Sequence, residues 1–195
     1  MNKTEELSKI AETIAECRVC RKWGTGEPVA GEGNPDADIV FVGEAPGREE
    51  ARTGRPFVGR SGRLLRSMIC GIGLSEEEVY ITSPVKFLPL KGTPSRENIR
   101  HGTTHLLRQL SIIQPEVIVL LGNTACLALL GRQAALTKEH GSSIRDRGVT
   151  YFLTYHPAYA VRFPDGKQGL RRDFAKLAGL LGLHPPQSGA SSVLL

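Results

Sequence analysis

The feature that most constrains this fold is a set of four short, β-branched apolar segments separated by helical patterns. The segments cover residues 38–43, 79–83, 117–122 and 151–155, and each ends at or just before a Gly, Pro or polar residue. Apolar runs of this length that alternate with helices are typical of buried parallel strands in βαβ units. We therefore predict a three-layer α/β fold in which helices flank a central four-stranded parallel sheet.

Amphipathic periodicity predicts the helices that accompany these strands. They are expected over residues 4–16, 64–72, 95–114, 123–130 and 170–181. The first helix has Thr4 as its candidate N-cap. The 195-residue chain is long enough for one such domain, expected over 1–183. The remaining residues, 184–195, include two Pro and several Ser and are expected to form a disordered tail.

The chain is basic, with a formal net charge of +5 and a pI near 9.2. This balance suits a polyanionic partner. Six arginines fall within 19 residues: Arg48, Arg52, Arg55, Arg60, Arg63 and Arg66. On charge alone, a solvated helix face of mixed charge is the favoured alternative. The apolar runs are too short to span a bilayer and the first residues do not resemble a signal peptide, so we expect a cytoplasmic monomer without a membrane partner.

The four cysteines divide into two kinds. Without a secretory signal, a disulfide framework is not expected. Cys70 and Cys126 lie in apolar helical contexts and are expected to be small buried residues. Cys17 and Cys20 have the C-x-x-C spacing of metal ligands or redox pairs. A redox protein is the weaker interpretation, because this pair follows a helix and does not open one after a strand.

Loops rich in Gly, Pro and polar residues follow all four predicted strands, at 43–47, 83–84, 122–123 and 156–157. In open parallel sheets, ligands bind at the carboxyl ends of the strands, so these loops mark a candidate site. Within them, Glu44 is either a rigidly held functional carboxylate or an exposed turn residue. Phe57, in a second Gly-rich loop, is either a core residue or a stacking platform. His156 is either functional or structural.

Taken together, these segments resemble the uracil-DNA glycosylase superfamily, most closely its thermophile-type, iron–sulfur branch called family 4. The resemblance covers about residues 7–181. It includes segments beginning at Cys17, Gly31, Gly43, Gly54, Val79, Pro115, Leu121 and Tyr155. The combination is specific, although no single segment is. It implies a monofunctional DNA glycosylase that removes uracil or another deaminated base; the alternative is a non-catalytic relative that binds DNA and senses damage or unusual structure.

The resemblance also implies roles for individual residues. Glu44 would lie beside the deoxyribose and position water, Phe57 would stack on the flipped base, and His156 would donate to uracil O2. A carboxylate near the sugar and a donor near the base stabilise the opposite charges of an oxocarbenium-like transition state. Gly43 and Ser83 complete the expected base-binding set. DNA contacts are expected from Arg60, Ser61, Tyr159 and Arg162.

Two positions depart from the family pattern. Ser83 stands where the family has an Asn that recognises the uracil edge, and a hydroxyl offers fewer hydrogen bonds than an amide. Two ligands of the family's [4Fe–4S] cluster align with Phe87 and Gly102, which cannot bind iron. We therefore predict that no cluster forms and that the protein needs no metal or cofactor. Cys17 and Cys20 are then remnants, or at most half of an adventitious metal site.

Overall fold

The computed structural model describes residues 2–183, so the expected disordered tail, 184–195, lies outside the described residues. The strands are β1 (Gly24–Thr25), β2 (Glu32–Gly33), β3 (Ile39–Val42), β4 (Val79–Thr82), β5 (Leu88–Pro89), β6 (Val117–Leu121), β7 (Ser142–Asp146) and β8 (Val149–Thr154). The helices are α1 (Lys3–Ala15), α2 (Arg18–Trp23), α3 (Arg48–Thr53), α4 (Arg60–Gly71), α5 (Arg96–Ile113), α6 (Asn123–Leu130), α7 (Leu136–Glu139), α8 (Pro157–Arg162) and α9 (Pro164–Leu180).

The central sheet has six strands in the order β2-β4-β3-β6-β8-β7. Its middle four strands are parallel, which confirms the predicted parallel core. The two outer strands pair antiparallel to it and enlarge the sheet beyond the prediction. They were missed because β2 has only two residues and β7, Ser-Ser-Ile-Arg-Asp, is a largely exposed edge without an apolar run. A separate small ladder joins β1 and β5 antiparallel.

Helices cover both faces of the sheet, which confirms the three-layer α/β arrangement. Successive side chains of β3 alternate between two cores: Phe41 packs with residues of α4, α8 and α9, and Val40 with residues of α1, α5 and α6. This is the period of two that a strand imposes. Cys126 is buried in the second core, as predicted. Cys70 is exposed, so that expectation is wrong: α4 buries Leu65 and Ile69, and Cys70 lies off that face.

The first helix begins earlier than expected because its N-cap is Asn2, not Thr4. The Asn2 side chain accepts a hydrogen bond from the Glu5 amide at 2.9 Å, and the Glu5 carboxylate accepts one from the Asn2 amide at 3.3 Å. Such a reciprocal capping box satisfies two backbone donors of the first turn. Among residues 2–183, no helix has both the length and the apolar character needed to cross a membrane.

Candidate active site and metal site

A cavity of about 350 Å³ opens where the carboxyl ends of β3, β4 and β8 meet. Glu44, Phe57, Ser83 and His156 all line it, so the four side chains predicted to hold and cleave the base come together. Among the expected DNA-contacting residues, Ser61 and Arg162 also line this cavity. The cavity therefore lies where parallel-sheet topology places ligand sites.

Glu44 is half-buried in the loop that follows β3. The Thr124 hydroxyl donates to Glu44 Oε2 at 2.9 Å from the first turn of α6. This bond fixes the carboxylate, and no described residue is hydrogen-bonded to its other oxygen. Glu44 is thus a held hydrogen-bond acceptor at the cavity wall, not a fully exposed turn residue. No motif in the sequence indicates this role of Thr124.

His156 is the N-cap of α8 and is half-buried. Its Nδ1 accepts a hydrogen bond from the Ala158 amide at 3.1 Å. Because Nδ1 is an acceptor, the neutral ring carries its proton on Nε2. Burial lowers the pKa of His156, although the nearby Glu44 carboxylate acts in the opposite direction. The residue is therefore held as a neutral imidazole with one N–H available as a donor.

Phe57 is a core residue that also lines the cavity. Its ring is 9% exposed and belongs to the main core, yet it lines the cavity with its centroid 6.0 Å from that of His156. Gly43 lies directly against the ring: a Cβ built on Gly43 would be 2.4 Å from Phe57 Cζ. Phe57 also has a φ of 52°, a strained conformation for a bulky residue. Strain of this kind persists where surrounding structure holds a residue in a functional position.

Glu50 is a site residue that the sequence analysis missed. Its side chain is 8% exposed and accepts hydrogen bonds from three amides, those of Gly47 at 3.1 Å, Val58 at 2.9 Å and Gly59 at 2.7 Å. The carboxylate thereby joins the Glu44 loop to the Phe57 loop. The available signal was its position, three residues after the Gly47 N-cap, where a carboxylate commonly reaches back to the cap amide.

Ser83 is buried at the end of β4, with its side chain at the cavity wall. Its hydroxyl donates to the Val85 carbonyl at 2.8 Å. Since a hydroxyl has one proton, Ser83 offers the cavity only acceptor lone pairs. A ligand that meets this side chain must therefore bring its own donor.

A second, open groove of about 520 Å³ adjoins the cavity. Its polar lining residues are three arginines, two glutamates and a serine: Arg48, Arg60, Arg162, Glu49, Glu50 and Ser61. Other arginines of the predicted cluster are engaged elsewhere: Arg55 and Arg66 both pair with Glu32. The arginines of the cluster therefore do not form one continuous face, and contact with a polyanion stays a prediction. Tyr159, 42% exposed, lines neither space and stacks between Tyr155 and Phe163, with centroids 5.2 and 4.8 Å away.

A four-donor metal site lies away from the cavity. The ligand atoms of Cys17, Cys20, His101 and His105 all lie within 4.8 Å of one another. The expectation that the protein binds no metal or cofactor, and that the two cysteines are remnants, is therefore wrong. The prediction considered only cysteines as replacement ligands, and Cys70 and Cys126 lie in other elements, but His-x-x-x-His spacing on a helix also places two donors, both imidazoles, on one face. That pattern was visible in the sequence within the predicted helix 95–114.

Comparison with known proteins identifies the family. The model of the uracil DNA glycosylase superfamily matches residues 30–178. A type-4 uracil-DNA glycosylase of Thermotoga maritima is 42% identical over 81% of this chain and 85% of its own. Those of Sulfurisphaera tokodaii and Archaeoglobus fulgidus are 38% and 37% identical, over 90% and 93% of this chain and 85% and 96% of theirs.

The type-4 name matters for the cofactor as well. The sequence resembles the iron–sulfur branch, called family 4, so these matches also argue against a protein without a cofactor. The matches span most of the fold described above, including the loops that carry Glu44 and His156. The chain belongs to the uracil-DNA glycosylase superfamily.

Proposed function

We propose that this protein is a uracil-DNA glycosylase of base-excision repair. It hydrolyses the N-glycosidic bond that joins uracil, or another deaminated base, to deoxyribose in DNA. The observation that carries the proposal is the meeting of Glu44, Phe57 and His156 around one cavity at the carboxyl ends of the sheet. The relatives named as uracil-DNA glycosylases support it.

The reaction begins with a base that has left the duplex stack, since the scissile bond is out of reach within it. The flipped base enters the cavity and stacks on the ring of Phe57. In this position its O2 atom accepts a hydrogen bond from Nε2 of His156. Phe57 and His156 thus orient the base, and the bent strand presents its sugar to Glu44.

Charge separates as the bond breaks. The base leaves with the bonding electron pair, and the His156 donor stabilises its negative charge. The sugar becomes positive, and the Glu44 carboxylate, held by Thr124, stabilises that charge and orients water. The water oxygen bonds to the sugar carbon and yields a proton to Glu44. A preformed donor and a preformed carboxylate need little reorganisation during this step.

Ser83 recognises the base edge differently from the Asn side chain that the family pattern has at this position. Its hydroxyl proton is used by Val85, so it accepts a hydrogen bond from the base. Uracil has a ring N–H that supplies such a donor. The recognition of deaminated bases thus depends on one acceptor from Ser83 and one donor from His156.

DNA binds along the arginine-lined groove. Arg48, Arg60 and Arg162 contact phosphates, with Ser61 beside them, and Tyr159 lies on the adjacent exposed helix α8. Phosphate contacts of this kind position the strand without reading its sequence. That the protein acts as a cytoplasmic monomer stays a prediction.

The test is base release from synthetic DNA. Single- and double-stranded oligonucleotides that contain uracil, hypoxanthine or xanthine are incubated with the protein, and free base and abasic sites are measured. We expect release of uracil and none of cytosine from a matched control strand, because N3 of cytosine carries no proton for Ser83 to accept. Tight binding of the same strands without release of any base would contradict the proposal and favour a non-catalytic damage sensor.

A further inference from the structure

The metal-site donors come from two helices that are far apart in sequence. Cys17 is the N-cap of α2 and Cys20 lies in its first turn, whereas His101 and His105 lie one turn apart on α5. Cys17 Sγ and His101 Nε2 are 3.1 Å apart. The four donors therefore converge on one point between α2 and α5.

His105 is buried, and neither of its ring nitrogens has a hydrogen-bond partner among the described residues, which points to a bound ligand. The side chain is 6% exposed, and its two ring nitrogens are the buried side-chain nitrogen or oxygen atoms of residues 2–183 that lack a hydrogen-bond partner. An unsatisfied buried polar group destabilises the folded chain, because it loses its hydrogen bonds to water without gaining others. A metal ion bound to one of these nitrogens removes that cost for it.

The separations among the donors fit one ion. Around tetrahedral zinc, bond lengths of about 2.3 Å to sulfur and about 2.0 Å to nitrogen place neighbouring donors about 3.3–3.8 Å apart. The 3.1 Å contact and the 4.8 Å upper limit bracket this range. In a [4Fe–4S] cluster each ligand binds a different iron, so the four ligand atoms must lie farther apart than they do around a single ion. The short separations here therefore favour a single ion.

The residues do not fit the [4Fe–4S] cluster of the family branch, which four thiolates hold. A Cβ built on Gly102 would lie 2.1 Å from the Pro84 carbonyl oxygen, so this position is closed to any side chain. Phe87 is fully buried and packs with Ile14 and Cys20, where it occupies space beside the thiols. Two thiols and two imidazoles remain as donors.

We propose that Cys17, Cys20, His101 and His105 bind one Zn²⁺ ion in a closed tetrahedral site. Mixed thiolate and imidazole donors in tetrahedral array are typical of structural zinc. With four protein ligands the ion has no open position, so it takes no part in hydrolysis. None of the four lines the cavity of the active site.

The zinc stabilises one wall of the active-site cavity. It joins α2 to α5, and α2 leads directly into β1, which pairs with β5. Leu88 of β5 lines the cavity. Loss of the ion therefore loosens the β1–β5 ladder as well as the α2–α5 contact.

The first test uses the wild-type protein. After anaerobic purification without affinity metals, elemental and sulfide analysis should find one zinc per chain, no stoichiometric iron and no acid-labile sulfide. X-ray absorption at the zinc edge should give two sulfur neighbours at about 2.3 Å and two nitrogen neighbours at about 2.0 Å. Stoichiometric iron with sulfide, or protein that is folded and free of metal, would overturn the proposal.

The second test assigns the ligands. His105→Ala should lose the zinc on gel filtration, whereas Cys70→Ser, a change of an exposed cysteine outside the site, should retain it. His101→Ala removes the other nitrogen donor and should lose the zinc as well. Full zinc retention by His105→Ala would remove this residue from the site. If His105→Ala does not fold, the wild-type spectrum decides: fewer than two nitrogen neighbours at the zinc refutes the assignment.

Discussion

Glu50 is the residue whose replacement tests most sharply how the site is built. It contacts no base or sugar in the proposed reaction, yet it holds both loops that carry Glu44 and Phe57. In Glu50→Gln, one carboxylate oxygen becomes an NH₂ group of the same size. We expect the neutral amide to keep its oxygen toward Val58 and Gly59, whose amides both donate to Oε1, and to turn its NH₂ toward the Gly47 amide.

The expected loss of stability follows from these three bonds. The two bonds to Oε1 lose their charge assistance, about 1 kcal/mol each, because bonds to a charged acceptor are roughly twice as strong as neutral ones. The Gly47 bond is lost, for about another 1 kcal/mol. The sum is about 2–4 kcal/mol, which for a domain of this size lowers the midpoint of thermal unfolding by about 4–16 °C.

The assay combines thermal unfolding with single-turnover uracil release. Glu49→Gln is the matched control for thermal unfolding, since Glu49 is the exposed neighbour that pairs with Arg52, and a surface change of this kind alters stability by about 0.5 kcal/mol or less. For uracil release the control is Glu77→Gln, a change of an exposed acidic residue outside the cavity and the groove. Glu50→Gln should also release uracil more slowly because the Phe57 platform shifts. Equal unfolding midpoints for Glu50→Gln and Glu49→Gln would refute the reasoning, since the three amide bonds would then carry no net stability.

Three further predictions concern the same site. Thr124→Val removes the donor that holds Glu44 and should slow excision about 10-fold at unchanged DNA affinity, which corresponds to a rise of about 1.4 kcal/mol in the activation free energy. An unchanged rate would contradict this role. Arg60→Ala and Arg162→Ala should each reduce the slope of log K against log[salt] by about 1 in a DNA-binding titration; unchanged slopes would exclude phosphate contacts. Burial lowers the pKa of His156, so as the pH falls the unfolded chain protonates this residue before the folded chain does. The free energy of unfolding should therefore keep the full contribution of His156 above about pH 6.5 and lose it progressively below that pH. Urea unfolding on both sides of that pH should show a weaker pH dependence in His156→Gln than in the wild type, and equal dependence would be contrary evidence.

The sequence was sufficient for the features that depend on local pattern. The apolar runs that became β3, β4, β6 and β8 are buried on both faces, and their composition alone shows this. Glu44 and His156 were predicted together because loops after parallel strands must converge. The proposed roles of Glu44 and His156 came from the resemblance of their motifs to the family, because the spacing of the residues alone does not assign roles.

Two of the missed features depend on contacts between segments distant in sequence. Thr124 and the metal ligands act through partners that only the folded chain brings close, whereas the amides that Glu50 binds are three to nine residues away. Cys70 was predicted to be buried from its apolar neighbours, but helix rotation decides which face meets the core. The metal site was missed for a different reason: the two histidines substitute for cysteines in chemistry but not in sequence position.

Single-turnover excision by Glu44→Ala and His156→Ala tests the central claim most directly. DNA affinity is measured on the same uracil-containing strand, and Glu77→Ala, an exposed acidic residue outside the cavity, is the control. The account predicts that each active-site variant excises uracil about 10²–10⁴-fold more slowly, with little change in affinity, and that the control matches the wild type. Near-wild-type excision by both variants would contradict it.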